Sequence, residues 1–162
     1  MTERLASSWA LDDHRHVPGR IYSVGYEGLQ VPGLIDRLVA AGVVLVVDVR
    51  LNAMSRRPGW SKKSLQAQLA AAGIGYRHEA ALGNPQDNRD SFREGDGEEG
   101  RRRLRELLAN GSRPALERLV EDAHDRRVAV LCVERGANRC HRQVVTDMAN
   151  ELDPTIEVRH IL

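Results

Sequence analysis

Hydrophobic and polar positions along this chain follow two rhythms that take turns. Ile21-Tyr22-Ser23-Val24 is short, rich in β-formers and closed by Gly25, which predicts a strand. Val31-Pro32 then opens a helix, with proline tolerated in its first turn, and Leu34, Ile35, Leu38 and Val39 share one face. Gly42 ends it, and the unbroken run Val43 to Val47 predicts a strand buried on both faces. Ser61 is the expected N-cap of a second helix carrying Leu65, Leu69 and Ala72, stopped at Gly73, and Ile74 to Arg77 makes a third strand.

Residues 82–100 hold many charges and few apolar groups, which predicts a long loop. Helices follow over Arg101 to Ala109 and Pro114 to Asp125, separated by Asn110-Gly111-Ser112. Val128 to Val133 is a fourth buried strand, Arg139 to Leu152 a helix, and Ile156 to Leu162 a closing strand at an edge. Strands parted by helices need crossover connections. The fold expected is therefore α/β: a three-layer, Rossmann-like, mostly parallel five-stranded sheet of order 3-2-1-4-5 with helices on both faces. Residues 1–19 form a polar N-terminal extension, and 20–162 a single domain.

Composition narrows the setting. At 162 residues the chain suits one domain with a real core, and 41% hydrophobic with 29% charged residues is ordinary for a globular protein. A net charge of +1 provides no field for indiscriminate binding of nucleic acid or membrane. Duplex DNA is thus not indicated, though a nucleic-acid end stays possible as a ligand. Two cysteines exclude a disulfide framework and favour a reducing cytoplasm. Met1 to His16 is too polar for a secretory signal, and no run approaches the roughly 20 apolar residues of a membrane span. All basic residues but Lys62 and Lys63 are arginine, which suits phosphate and carboxylate recognition but also follows from base composition alone.

Chemistry gathers where strands end. The first exits into Gly25-Tyr26-Glu27-Gly28, the second into Asp48-Val49-Arg50 and Ser55-Arg56-Arg57, the third into Arg77-His78, and the fourth into Cys132-Val133-Glu134-Arg135. In the expected order Asp48 and Glu134 stand about 10 Å apart across the first strand. Asn138 is the expected N-cap of the last helix, which places Cys140 and His141 in its first turn. There the free N–H groups attract anions and depress a thiol pKa. Arg142 would add a bidentate grip on phosphate.

Each residue also has a plainer reading. Asp48 and Arg50 can be an internal ion pair, Cys132 a small core hydrophobe, His78 a surface histidine. Glu134 can be solvated, and Cys140 can pack inward. Phosphate-loop and dinucleotide fingerprints are absent, a tyrosine-phosphatase-like loop has the wrong spacing, and no paired Cys-x-x-Cys element supports zinc, so neither cofactor nor metal is expected.

The run Asp48-Val49-Arg50-Leu51-Asn52 with Ser55-Arg56-Arg57-Pro58-Gly59-Trp60-Ser61-Lys62 resembles the signature of domain-of-unknown-function family 488 (DUF488). So do Gly73 to His78, Leu82-Gly83-Asn84-Pro85 with Asn88-Arg89, and Cys132-x-Glu134 followed by Cys140-His141-Arg142. Two departures show: Val24-Gly25-Tyr26-Glu27 replaces a turn that often contains histidine, and Ala53-Met54 replaces a proline usual before the Ser-Arg pair. The resemblance implies a three-layer α/β fold in a cytoplasmic microbial protein, with Asp48, Arg50, Arg56, Glu134, Cys140, His141 and Arg142 in a pocket. It implies no reaction.

The expectation is an enzyme holding a small anionic ligand, a nucleotide or nucleic-acid end. Asp48, Glu134, Cys140 and His141 are its candidate catalytic groups, and Tyr26, Arg50, Arg56, His78 and Arg142 its ligand-binding groups. A non-catalytic anion-binding module and a thiol-dependent enzyme using Cys140 are the alternatives.

Overall fold

The computed structural model describes residues 19–95 and 97–161; the expected N-terminal extension lies almost wholly outside them. Five strands form one parallel sheet: β1 (Arg20–Gly25), β2 (Leu45–Asp48), β3 (Gly75–His78), β4 (Arg127–Cys132) and β5 (Glu157–Ile161). Helices α1 (Val31–Ala40) and α2 (Lys62–Ala71) precede β2 and β3. Then α3 (Arg89–Arg93), α4 (Glu98–Asn110) and α5 (Arg113–Ala123) lead into β4, and α6 (Arg142–Leu152) leads into β5. The fold class is the expected three-layer α/β architecture.

The strand order is β3-β2-β4-β1-β5, which corrects the expected exchange of the first and fourth strands. β4 pairs with β1 on one side and β2 on the other, with Val128 opposite both Ile21 and Leu45. Its residues Val128 to Leu131 are fully buried, so the most continuously apolar strand takes the centre. β1 sits one place out, beside the exposed edge strand β5. No strand therefore separates Asp48 from the end of β4: Asp48 lies opposite Leu131.

Alternation along the strands divides the core in two. Tyr22, Val24, Val46, Ala129 and Leu131 pack with Leu34 and Leu38 of α1 and Leu65 and Leu69 of α2. Ile21, Val47, Val128, Val130 and Cys132 face the other way, onto α4, α5 and α6. Successive crossovers leave β1 and β2 in one direction and return in the other, which puts their helices on opposite faces.

The described residues of the expected 82–100 loop carry regular structure: the end of a 3-10 turn (Ala80–Leu82), a second one (Gln86–Asn88), α3, and the start of α4. Buried Asn88 organises them, its Nδ2 donating to Asn84 Oδ1 at 2.9 Å and to the Gly100 carbonyl at 3.0 Å. Phe92 packs into the core beneath.

The last helix also starts later than its pattern suggested. Ala137–Arg139 form a 3-10 turn, Cys140 is extended, and His141 rather than Asn138 is the cap of α6. Gly25 serves the sheet end directly: a Cβ there would lie 1.8 Å from the Glu134 carbonyl oxygen, so only glycine lets the segment after β4 cross the end of β1.

Candidate functional site

Several of the expected site residues fall into two clusters, one on each face of the sheet. Asp48 and Arg50 make the first. Arg50 donates from Nε to both carboxylate oxygens (2.9 and 3.1 Å) and from Nη2 to Oδ2 (2.6 Å). Its backbone N–H adds 3.1 Å to Oδ1, and Nη1 reaches the Trp60 carbonyl at 2.8 Å and the Tyr26 hydroxyl at 3.3 Å. Tyr76 donates to Asp48 Oδ2 at 2.5 Å. Burial works against the arginine charge, but the Asp48 hydrogen bonds and charge outweigh it and raise the Arg50 pKa. Burial, then the hydrogen bond to Asp48, raises that of Tyr76. The ion-pair reading holds here.

Tyr26 stacks on Trp60 with centroids 4.1 Å apart, roofed by the Arg57 guanidinium at 5.3 Å from the Trp60 ring. Arg57 is held there by the Leu29 carbonyl; Arg56 is exposed, and neither arginine lines the pocket. His78 Nε2 donates to the Arg50 carbonyl at 2.7 Å and supports that turn from the neighbouring strand.

Cys132, Cys140 and His141 make the second cluster, against α6. Cys132 Sγ and Cys140 Sγ each lie 3.7 Å from His141 Nδ1. The other ring nitrogen, Nε2, is 2.9 Å from the Val49 carbonyl, an acceptor only, so Nε2 carries a proton and Nδ1 faces both sulfurs. Cys140 Sγ also accepts the Arg142 backbone N–H at 3.5 Å, so the free N–H at the start of α6 goes to sulfur and not to a ligand. Burial opposes a Cys140 thiolate, but hydrogen bonds from Cys132 and His141 prevail and lower its pKa; the hydrogen bond to Cys140, then burial, raises that of Cys132. His141 is raised as well, burial being outweighed by its hydrogen bond to Cys140.

Arg142 is not a phosphate grip. It is 1% exposed, and its guanidinium bonds Ser23 Oγ at 2.7 Å and the Glu134 and Arg135 carbonyls. It fixes the segment after β4 to β1 and α6.

The clusters meet at one pocket of about 360 Å³ at the carboxyl ends of the strands. Tyr26, Arg50, Cys132, Glu134 and His141 line it, while Asp48, Cys140 and Arg142 sit behind that wall. Glu134 is half-buried, with a pKa raised by burial and then by the Cys140 charge, and its Oε2 lies 3.5 Å from Cys132 Sγ. Arg89, Arg93 and Arg139 complete the rim, exposed and in no salt bridge among the described residues. Arg89 and Arg93 escaped sequence reasoning because their segment looked like loop. Cys132 escaped because its alternation suited a core hydrophobe.

The family model of the domain of unknown function DUF488 matches residues 30–149. The chain belongs to that family. No curated protein and no solved structure matches it. Within the DUF488 region lie β2, β4 and every pocket-lining residue except Tyr26. No helix among the described residues of this DUF488 chain is long and apolar enough to cross a membrane.

Proposed function

We propose that this DUF488 chain is an enzyme that holds a small phosphate-bearing ligand, a nucleotide or a nucleic-acid end, and acts on it by acid/base chemistry at Glu134. One observation carries the reading: Arg89, Arg93 and Arg139 line the same pocket as a half-buried carboxylate, and none of the three is engaged by an acidic side chain among the described residues. Three guanidiniums without counterions favour an anion. The volume, at the low end of the range for small-molecule sites, suits a mononucleotide better than a polymer. Glu134 would hand or accept the proton, with Tyr26 and Arg50 as pocket wall. Free thiols at the pocket floor suit a reducing compartment such as the cytoplasm.

The test is thermal shift and calorimetry against a panel of nucleotides and sugar phosphates. Stabilisation at millimolar ligand that is lost in Arg139→Ala and Arg89→Ala supports the reading, and no shift with any phosphate ester ends it. Glu134→Gln then separates enzyme from binding module. Retained affinity with lost turnover marks an enzyme; turnover equal to wild type removes the acid/base role.

A further inference from the structure

The pocket floor holds an arrangement that the anion reading does not use. One ring nitrogen, His141 Nδ1, faces two sulfurs at 3.7 Å each. Besides these, the Cys132 thiol makes a long contact of 3.5 Å to Glu134 Oε2. A cation that takes electron density from all three atoms would replace these weak contacts with bonds. The donor atoms of Cys132, Cys140 and His141 lie within 4.8 Å of one another, the one such set of three among the described residues.

The geometry points to a binding site for a zinc-class divalent cation, held by Cys132 Sγ, Cys140 Sγ and His141 Nδ1 with its fourth position open to the pocket. Three further features fit that chemistry. Tetrahedral zinc, with bonds of about 2.3 Å to sulfur and 2.0–2.1 Å to nitrogen, needs a sulfur–nitrogen separation of about 3.6 Å. The two observed sulfur–nitrogen separations match this as they stand, and all three donors lie within 4.8 Å of one another. His141 donates its other ring N–H to the Val49 carbonyl, the partner that orients metal-bound imidazoles. Two thiolates balance a dication, which leaves this buried floor without net charge once the two thiol protons have gone to solvent. A donor set of two thiolates and one imidazole is soft, which selects zinc over magnesium or calcium.

Only Cys132 and His141 of the three reach the pocket wall, so the remaining coordination position opens there, beside Glu134. Three protein donors and one open position is the pattern of a reactive zinc site, not a closed structural one. The site deepens the proposed function, sharing its pocket and giving a phosphate or water oxygen a Lewis acid to bind.

The test uses Zn2+ and Co2+ with no nucleotide present, so its failure is distinguishable from failure of the anion reading, which depends on the rim arginines. Full-length protein, reduced and stripped with chelator, is given one equivalent of either ion and passed through a desalting column. One retained ion per chain and a tetrahedral cobalt spectrum with strong sulfur-to-cobalt absorption are expected. Cys132→Ser and Cys140→Ser should each lose about half of that sulfur absorption per bound ion, and His141→Ala should weaken retention at least tenfold. Circular dichroism reports whether each variant folds. If a variant does not, the wild-type cobalt spectrum decides: two-thiolate intensity upholds the site, and its absence overturns it. No retained ion, retention undiminished in the Cys132→Ser/Cys140→Ser double variant, or a Cys132–Cys140 disulfide under reducing conditions would each overturn the proposal.

Discussion

The two polar clusters beneath the strand ends have similar burial and opposite bonding. In the Asp48–Arg50 cluster each guanidinium nitrogen has an acceptor, and the carboxylate accepts a further hydrogen bond from the Tyr76 hydroxyl. It is closed. In the Cys132–Cys140–His141 cluster two sulfurs face one ring nitrogen through long contacts of 3.7 Å, and the group borders a pocket. It is open. A buried polar group with all its bonds made contributes rigidity, whereas one with capacity to spare beside a cavity is where ligand chemistry has room.

Variants can sharpen or break this contrast. The largest effect is expected from Asp48→Ala, which leaves the 4%-exposed Arg50 charge without its counterion. A loss of about 4 kcal/mol is expected for such a buried pair, read by urea unfolding. A loss below about 1 kcal/mol would show that the cluster is not the closed structural element described. Arg142→Ala should follow at about 3 kcal/mol, because it strips charged hydrogen bonds from Ser23 and two carbonyls. Its effect on nucleotide affinity should come through that loss of structure, and an affinity change with unaltered stability would restore it as a ligand contact.

Gly25→Ala should cost about 2 kcal/mol, since the new methyl must displace the Glu134 backbone. Weaker ligand binding should accompany it, checked by calorimetry beside unfolding. The smallest stability change is expected for Arg139→Ala, within about 0.5 kcal/mol as for exposed sites generally. Binding of a phosphate-bearing ligand should nonetheless weaken about tenfold, equivalent to about 1.4 kcal/mol. That separation of stability from affinity is the signature of the open side of the contrast.

Much of the scaffold was legible because period and punctuation are local. Gly42 and Gly73 mark helix ends, and the runs Val43 to Val47 and Val128 to Val133 overlap the buried strands β2 and β4, missing Asp48 and Arg127 and taking in exposed Val44 and Val133. The order of strands is not local: nothing in Val128 to Leu131 says which neighbour it takes, and only its complete burial in the sheet shows why it claims the centre. Of the residues the family resemblance marks, Arg50, Glu134 and His141 line the pocket, and geometry sorts the rest into support and surface. Arg56 is surface; Asp48, Cys140 and Arg142 are support. The part played by Cys132 depends on which sheet face meets α6 and on Cys140 falling just before that helix, and neither follows from spacing.

A hydrogen bond links the two clusters. The Val49 carbonyl that receives the His141 ring proton lies between Asp48 and Arg50 in the chain. The imidazole is therefore pinned to the most tightly braced stretch of backbone near the pocket. It cannot swing to follow a departing ligand without stranding that oxygen away from water. Whatever rests on Nδ1 meets a donor whose aim was set during folding.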